Sequence, residues 1–346
     1  MFLPTDITEL PLRPVASLIS QNDWDILSRF WHPVARASEI GDSAVAVTLL
    51  DVELVLFRSN GAVTAALDMC PHRWVRLSSG TVCEGAIVCR FHGLAFDGSG
   101  QCVDVPALGR AAKMPPKYRV RTFRTQMRYG MVWVCLDDKS QESVANYPSL
   151  DGVHDNAIGF AAVWQWPMSA ARQIENFIDL AHLPFVHATT LGGDPTARIR
   201  PATIEHRERS FLCATTYVET VPFEKPTECE LTYEIFAPFA VDFQSRPLGG
   251  AGFRSVNIAS PTSAHTCRVF QLLVRGERGE VFQEPWALDP STGGPGIINQ
   301  QDIDVLQHLR IHDLPLNEKL EIHLPVDNVS FAYRESLRRL GLGRRT

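Results

Sequence analysis

Cys70-Pro71-His72 and, after a gap of 16 residues, Cys89-Arg90-Phe91-His92-Gly93 each pair one cysteine with one histidine. A zinc finger or ribbon usually takes its ligands as Cys pairs or His pairs. Here each arm offers one soft thiolate and one imidazole. A two-iron, two-sulfur cluster with two thiolates on one iron and two imidazoles on the other needs that division. Neutral imidazoles in place of two negative thiolates make such a cluster easier to reduce than an all-cysteine one. A structural zinc knuckle is the plainer use of the same four residues. The stretch after the second arm, from Phe91 through Cys102 to Pro106, favours the cluster.

A second constellation follows. Asp179, His182 and His187 fall within nine residues of Glu175-Asn176-Phe177-Ile178-Asp179-Leu180-Ala181-His182-Leu183-Pro184-Phe185-Val186-His187. Asp179 and His182 share a face if the segment is helical. His187 lies roughly 140° from His182 on an ideal helix, so both meet one metal only if the helix ends or distorts between them. Pro184 supplies a cause. Two imidazoles and one carboxylate on one face of iron form the facial triad of dioxygen-activating sites. The carboxylate must come from elsewhere, and Asp302 and Asp304 are the candidates. On a helix Asp302 shares a face with Val305, Leu306 and Leu309, whereas Asp304 shares one with Gln307 and His308. A buried acid needs a partner and a solvated one does not, which selects Asp302 as ligand.

The elements that must carry these residues change along the chain. Residues 22–30 read as a short helix with a polar cap. From 44 to about 136 short β-rich runs dominate: Ala44–Leu50, Val52–Arg58, Ala62–Leu67, Ala86–Phe91 and Met131–Leu136, separated by turns such as Ser59-Asn60-Gly61. The polar break from Asp137 marks a boundary, giving residues 1–140 and 141–346 as two domains. Beyond it, residues 170–183 read as helix. β-like segments follow at Phe211–Val218, Cys229–Phe236 and Cys267–Val274, then helices near 297–311 and 326–340. Strands in the middle with helices at both ends predict an α+β domain, an antiparallel sheet carrying helices.

Composition bounds the rest. The 346 residues are 45% hydrophobic and 21% charged, with a net charge of -6. This is an ordinary globular balance with no nucleic-acid surface. The basic end, Arg338-Arg339 and Arg344-Arg345, reads as a solvated tail. Eight irregularly spaced cysteines do not make a secreted disulfide framework. The start of the chain lacks the basic region of a signal peptide, and no apolar run is long enough to span a membrane. The expected compartment is the cytoplasm.

With both motifs in hand, the chain resembles the α (oxygenase) subunits of Rieske non-haem iron oxygenases over essentially its whole length. Cys70-Pro71-His72-Arg73 and Cys89-Arg90-Phe91-His92-Gly93 look like the family's cluster motif. Asn176-x-x-Asp179-x-x-His182-x4-His187 looks like its iron motif, and Gln301-Asp302 matches its late carboxylate. The resemblance implies a Rieske β domain holding a [2Fe-2S] cluster through Cys70, His72, Cys89 and His92. It implies a helix-grip domain holding Fe(2+) through His182, His187 and Asp302. Asn176 and Asp179 are the implied catalytic residues, with Asp179 bridging His182 to a cluster histidine of the neighbouring subunit in a homotrimer. Electrons from NAD(P)H would arrive through a separate flavin or ferredoxin-type reductase. Length and the segment from Leu324 to Leu337 look closest to the aromatic O-/N-demethylase and ring-hydroxylase branch. The expected reaction is O2-dependent monooxygenation of an aromatic or heterocyclic small molecule. The alternatives are ring cis-dihydroxylation and, from other classes, a Rieske electron carrier or a zinc-stabilised binding module. The stretch from Tyr233 to Phe243 could line a pocket or form plain core. The family often has Tyr-His-Gly-Trp where this chain has Phe91-His92-Gly93-Leu94, and the lost hydroxyl is expected to lower the cluster potential.

Overall fold

The computed structural model describes residues 11–109, 113–154, 158–196, 198–219, 226–247, 252–274, 296–316 and 318–343. The first residues of the chain and the Arg344-Arg345 end lie outside them. Two compact units result, Met1–Val144 and Ala145–Thr346.

The first unit opens with α1 (Gln21–Leu27), whose N-cap Ser20 hydroxyl accepts the Asp23 N–H. Ten strands follow. They are β1 (His32–Arg36), β2 (Val45–Leu49), β3 (Val52–Ser59), β4 (Ala62–Leu67), β5 (Thr81–Cys83), β6 (Ala86–Val88), β7 (Ala95–Phe96), β8 (Cys102–Asp104), β9 (Thr122–Arg128) and β10 (Met131–Cys135). Six of them form one sheet in the order β1-β10-β9-β4-β3-β2, and four form a small sheet in the order β5-β6-β7-β8. β3 is buried on both faces because its apolar residues are continuous rather than alternating. Val55 and Phe57 pack with Ala66, Ile87, Phe96, Cys102, Cys70 and Cys89 in one apolar cluster. Both sheets contribute to it. A fully buried phenylalanine such as Phe57 or Phe96 contributes about 1.5–3 kcal/mol.

The second unit is a seven-stranded antiparallel sheet with helices. Its strands are β11 (Ile158–Trp166), β12 (Thr203–His206), β13 (Phe211–Glu219), β14 (Thr227–Phe236), β15 (Ala240–Pro247), β16 (Phe253–Pro261) and β17 (Cys267–Val274). The order is β11-β17-β16-β15-β14-β13-β12, so every pair is antiparallel and the first strand closes on the last. The helices are α2 (Ala170–Ile178), α3 (Leu183–Val186), α4 (Ile297–Leu306) and α5 (Asn328–Arg339). This is the expected α+β arrangement, an all-β domain followed by a helix-grip domain.

Three sequence expectations need correction. Helix 170–183 stops at Ile178, because Asp179 takes an extended backbone (φ -82, ψ 126) and caps it. Pro184 therefore does not distort a continuing helix. It occupies the first turn of the separate four-residue α3, where its missing N–H costs nothing. Strands β9, β11, β15 and β16 were not apparent from local pattern, because their residues draw on sheet partners rather than on alternation of their own.

Candidate metal centres

The two cluster arms are built alike. The Cys70 N–H donates to the Val75 carbonyl at 2.8 Å, and the Trp74 N–H donates to the Cys70 carbonyl at 2.8 Å. At the second arm the Cys89 N–H donates to the Leu94 carbonyl at 2.8 Å, and the Gly93 N–H to the Cys89 carbonyl at 2.9 Å. Each loop turns through a left-handed residue four places after its cysteine, Trp74 (φ 62) and Gly93 (φ 74). Glycine suits the second because a β-carbon there would meet Pro106 Cγ at 2.9 Å. Tryptophan in that conformation costs on the order of 1–3 kcal/mol, and its ring stands exposed.

The loops divide their candidate ligands by environment. Cys70 and Cys89 are buried in the apolar cluster. His72 and His92 are exposed, with ring centroids 4.6 Å apart. Burial pushes the Cys70 thiol up to about 12 and the adjacent Cys89 thiol adds to this, while the backbone N–H groups of His72 and Arg73 pull it down. Those N–H groups are placed to stabilise a thiolate, which metal coordination produces. The His72 imidazole is held below its ordinary range by what burial it has, then by His92 and Arg73, which favours the neutral, ligating ring. Paired thiolates inside and paired imidazoles outside fit a [2Fe-2S] cluster of the mixed-ligand kind.

In the second unit His182 precedes α3 and His187 follows it, so the short helix sets their separation. Asp302 projects from α4. Its Oδ1 lies 3.4 Å from His182 Nε2 and 3.2 Å from His187 Nε2. The ligand atoms of the three residues all lie within 4.8 Å of one another. Asp302 is buried while Asp304 is exposed and accepts from the Gln300 side chain. The reason differs from the expected one, because Val305 is itself exposed and the buried face is Ile298, Asn299 and Asp302. Asp302 Oδ1 is buried without a hydrogen bond of acceptable geometry despite both close nitrogens. Three atoms converging without bonding one another fit a shared metal ion.

Electrostatics agree. Burial alone would lower the His182 imidazole, but Asp179 and Asp302 outweigh it and raise it to about 9. Burial alone would raise Asp302, but His182 and His187 outweigh it and hold the carboxyl below the usual range. A metal ion would replace the His182 Nε2 proton as the partner of Asp302, while Asp179 keeps the Nδ1 side. Asp179 Oδ2 lies 3.2 Å from His182 Nδ1 on the side away from Asp302, and Asp179 Oδ1 accepts the Ala181 N–H at 2.8 Å. A small cleft opens against Asp179, lined also by Arg200, Thr215, Tyr233 and Asn328. Asn176 contributes its carbonyl to the Asp179 N–H at the end of α2.

Long-range polar contacts that no local motif announced hold α2 and α4 in place. A quartet joins buried Arg172 and Glu175 of α2 to half-buried Glu321 and to buried Arg334 of α5, with contacts of 2.9 Å (Arg172–Glu175), 2.8 Å (Arg172–Glu321), 2.6 Å (Arg334–Glu175) and 2.6 Å (Arg334–Glu321). A row of carboxamides runs from α2 to α4 across the sheet. Asn257 donates to Gln173 at 3.0 Å, Asn257 and Gln271 are paired across β16 and β17, and Asn299 reaches Gln271 at 3.5 Å. The Tyr233–Phe243 stretch is largely buried core, its two rings 4.8 Å apart and Phe177 of α2 packed on Phe243.

Fold and sites define a two-unit redox protein with a mixed-ligand iron–sulfur pocket and a two-histidine, one-carboxylate centre. Residues 30–124 match the Rieske [2Fe-2S] domain, and residues 166–342 match the vanillate O-demethylase oxygenase C-terminal domain. Methylxanthine N3-demethylase NdmB of Pseudomonas putida is 32% identical over 268 residues, 73% of this chain and 75% of that protein. Methylxanthine N1-demethylase NdmA of the same organism is 27% identical over 331 residues, 93% and 91% of the two chains. The structure of NdmA with caffeine superposes with a TM-score of 0.78 at 25% identity, covering 92% of each chain. The chain belongs to the Rieske non-haem iron oxygenases, in the branch of aromatic O-/N-demethylases and hydroxylases. It is an oxidoreductase whose cofactors are a [2Fe-2S] cluster and a mononuclear iron, and it uses O2 for monooxygenation or demethylation of aromatic or heterocyclic substrates. The zinc-knuckle and electron-carrier readings are set aside. Among the described residues no helix is long and apolar enough to cross a membrane.

Proposed function

We propose that this oxygenase removes an N-methyl group from a flat, carbonyl-bearing heterocycle, releasing formaldehyde. The observation that carries the reading is the carboxamide row Gln173, Asn257, Gln271 and Asn299, which spans the sheet between the two helices flanking the iron residues. Among the described residues each of these side chains makes one hydrogen bond and keeps a further donor or acceptor. Such groups suit the ring carbonyls and nitrogens of a heterocycle, and the packed rings of Phe177, Tyr233 and Phe243 supply flat apolar surface in the same unit. The methylxanthine demethylases named above agree with that substrate class.

The cluster ligands in this reading are Cys70, His72, Cys89 and His92, and the iron ligands are His182, His187 and Asp302. When bound, the two groups supply one-electron delivery and dioxygen activation. Asp179 holds the His182 Nδ1 proton and leaves Nε2 free for metal. Its side chain is 37% exposed, and the imidazole edges of His72 and His92 are exposed in the other unit. Both exposures support electron transfer between a cluster on one protomer and Asp179 of its neighbour in a homotrimer. A cytoplasmic enzyme fed from NAD(P)H by a flavin or ferredoxin-type reductase completes the reading.

A single turnover tests it. The chemically reduced protein is exposed to O2 with N-methyl heterocycles, methoxy-aromatics or unmethylated aromatics, and products are read by mass spectrometry with formaldehyde detection. Formaldehyde from the N-methyl substrates alone is expected. Formaldehyde from methoxy-aromatics alone makes it an O-demethylase, and addition of two oxygens with two hydrogens makes it a dioxygenase. Asp179→Asn should keep both metals while turnover collapses, and normal turnover there would sink the bridging role.

A further inference from the structure

The two iron-site histidines are backed by different chemistry. His182 Nδ1 faces the Asp179 carboxylate at 3.2 Å. His187 Nδ1 faces a carboxamide, Gln301 Oε1, at 2.9 Å. Gln301 sits on α4 immediately before Asp302, so one turn of helix presents a candidate ligand and the support of another. The Thr190 hydroxyl donates to the same Oε1 at 2.8 Å, and Gln301 Nε2 donates to Thr189 Oγ1 at 3.1 Å. Thr190 is itself fixed by its N–H, which donates to the His187 carbonyl at 2.9 Å. The Gly192 N–H donates to that carbonyl at 2.8 Å, and the Tyr217 hydroxyl closes the turn on the Gly192 carbonyl at 3.1 Å.

We infer that Gln301 is a positioning residue for the mononuclear iron, acting through His187 as the acceptor that keeps its proton on Nδ1. A neutral imidazole has one donor and one acceptor nitrogen. Hydroxyls turn to suit either amide orientation, so Thr189 and Thr190 hold the plane of the carboxamide without choosing its direction. The choice is made jointly with His187. With Oε1 toward the ring, Nδ1 is the donor and Nε2 keeps the lone pair that points at Asp302. Turned end for end, the amide would offer an N–H to Nδ1, move the ring proton to Nε2 and block the metal. A carboxylate could accept the same proton, but it would place a further negative charge beside the buried Asp302, which carboxamide avoids.

The inference rests on His182, His187 and Asp302 being the iron ligands. The test is an anaerobic ferrous-iron titration against a competing chelator, using protein stripped of mononuclear iron with its cluster intact. A spectrum of the nitric oxide adduct of the ferrous site accompanies it. His187→Ala should abolish this iron binding, and retention there would overturn the ligand assignment and the inference with it. Given that loss, Gln301→Leu should weaken iron binding by about 10- to 100-fold and alter the adduct spectrum at an unchanged unfolding midpoint. Gln301→Glu, which keeps an acceptor, should restore the affinity. If Gln301→Leu does not fold, Gln301→Met keeps the side-chain length without the carbonyl and should show the same loss. Wild-type affinity in the acceptor-free variants would overturn the inference, as would a Gln301→Glu variant as weak as Gln301→Leu.

Discussion

In the N-terminal unit the four candidate ligand residues come from two similar loops that lie close together in the chain, and their histidines face solvent. In the C-terminal unit two histidines bracket one short helix, and their partner Asp302 arrives from a helix far along the chain. The first site is tied down by backbone hydrogen bonds and an apolar cluster that includes both cysteines. The second is tied down by side chains: a carboxylate behind one histidine, a carboxamide behind the other, and a largely buried ionic quartet joining α2 to α5. An electron-accepting group needs an exposed edge and little reorganisation, which stiff loops provide. A dioxygen-activating centre needs open metal positions in a water-poor site, and buried side chains on separate elements can shape one.

The largest effect that would break this contrast is at Cys89. Cys89→Ser should abolish the cluster and its visible absorbance while the mononuclear iron stays bound, because the two sites draw on separate units. Loss of all iron on metal analysis would mean that they assemble together. Next is Arg334→Met, which leaves Glu175 buried with Arg172 as the one remaining cation of the quartet and should cost about 3–5 kcal/mol. Urea unfolding should show the C-terminal unit shifting while the cluster absorbance holds its midpoint; coincident shifts would show that the units unfold as one. Smallest is Phe91→Tyr. The Phe91 ring is exposed and lies 3.9 Å from the His92 ring centroid, and an added hydroxyl should raise the cluster potential in a redox titration. No rise would indicate that backbone N–H groups alone set the hydrogen bonding of the sulfurs.

Residue type and short spacing singled out Cys70, His72, Cys89 and His92 as one set of candidate ligands, and His182 and His187 as a pair, because ligands a few residues apart are constrained by one turn of chain. Burial reasoning also separated Asp302 from Asp304, although the buried face of α4 proved to be Ile298 and Asn299 rather than Val305. The end of α2 at Asp179 escaped notice, since its extended backbone follows from the Ala181 and His182 contacts of its carboxylate rather than from helix propensity. Gln301 beside His187, the Arg172–Glu175–Glu321–Arg334 quartet and the carboxamide row were invisible for a shared reason. Each joins residues distant in the chain, and sheet register and helix placement decide which of them meet. Sequence alone determined which candidate ligand residues the chain offers at short spacing. Only the tertiary structure set the acceptor Gln301 Oε1 against His187 Nδ1, because helix placement brings it there from a helix far along the chain.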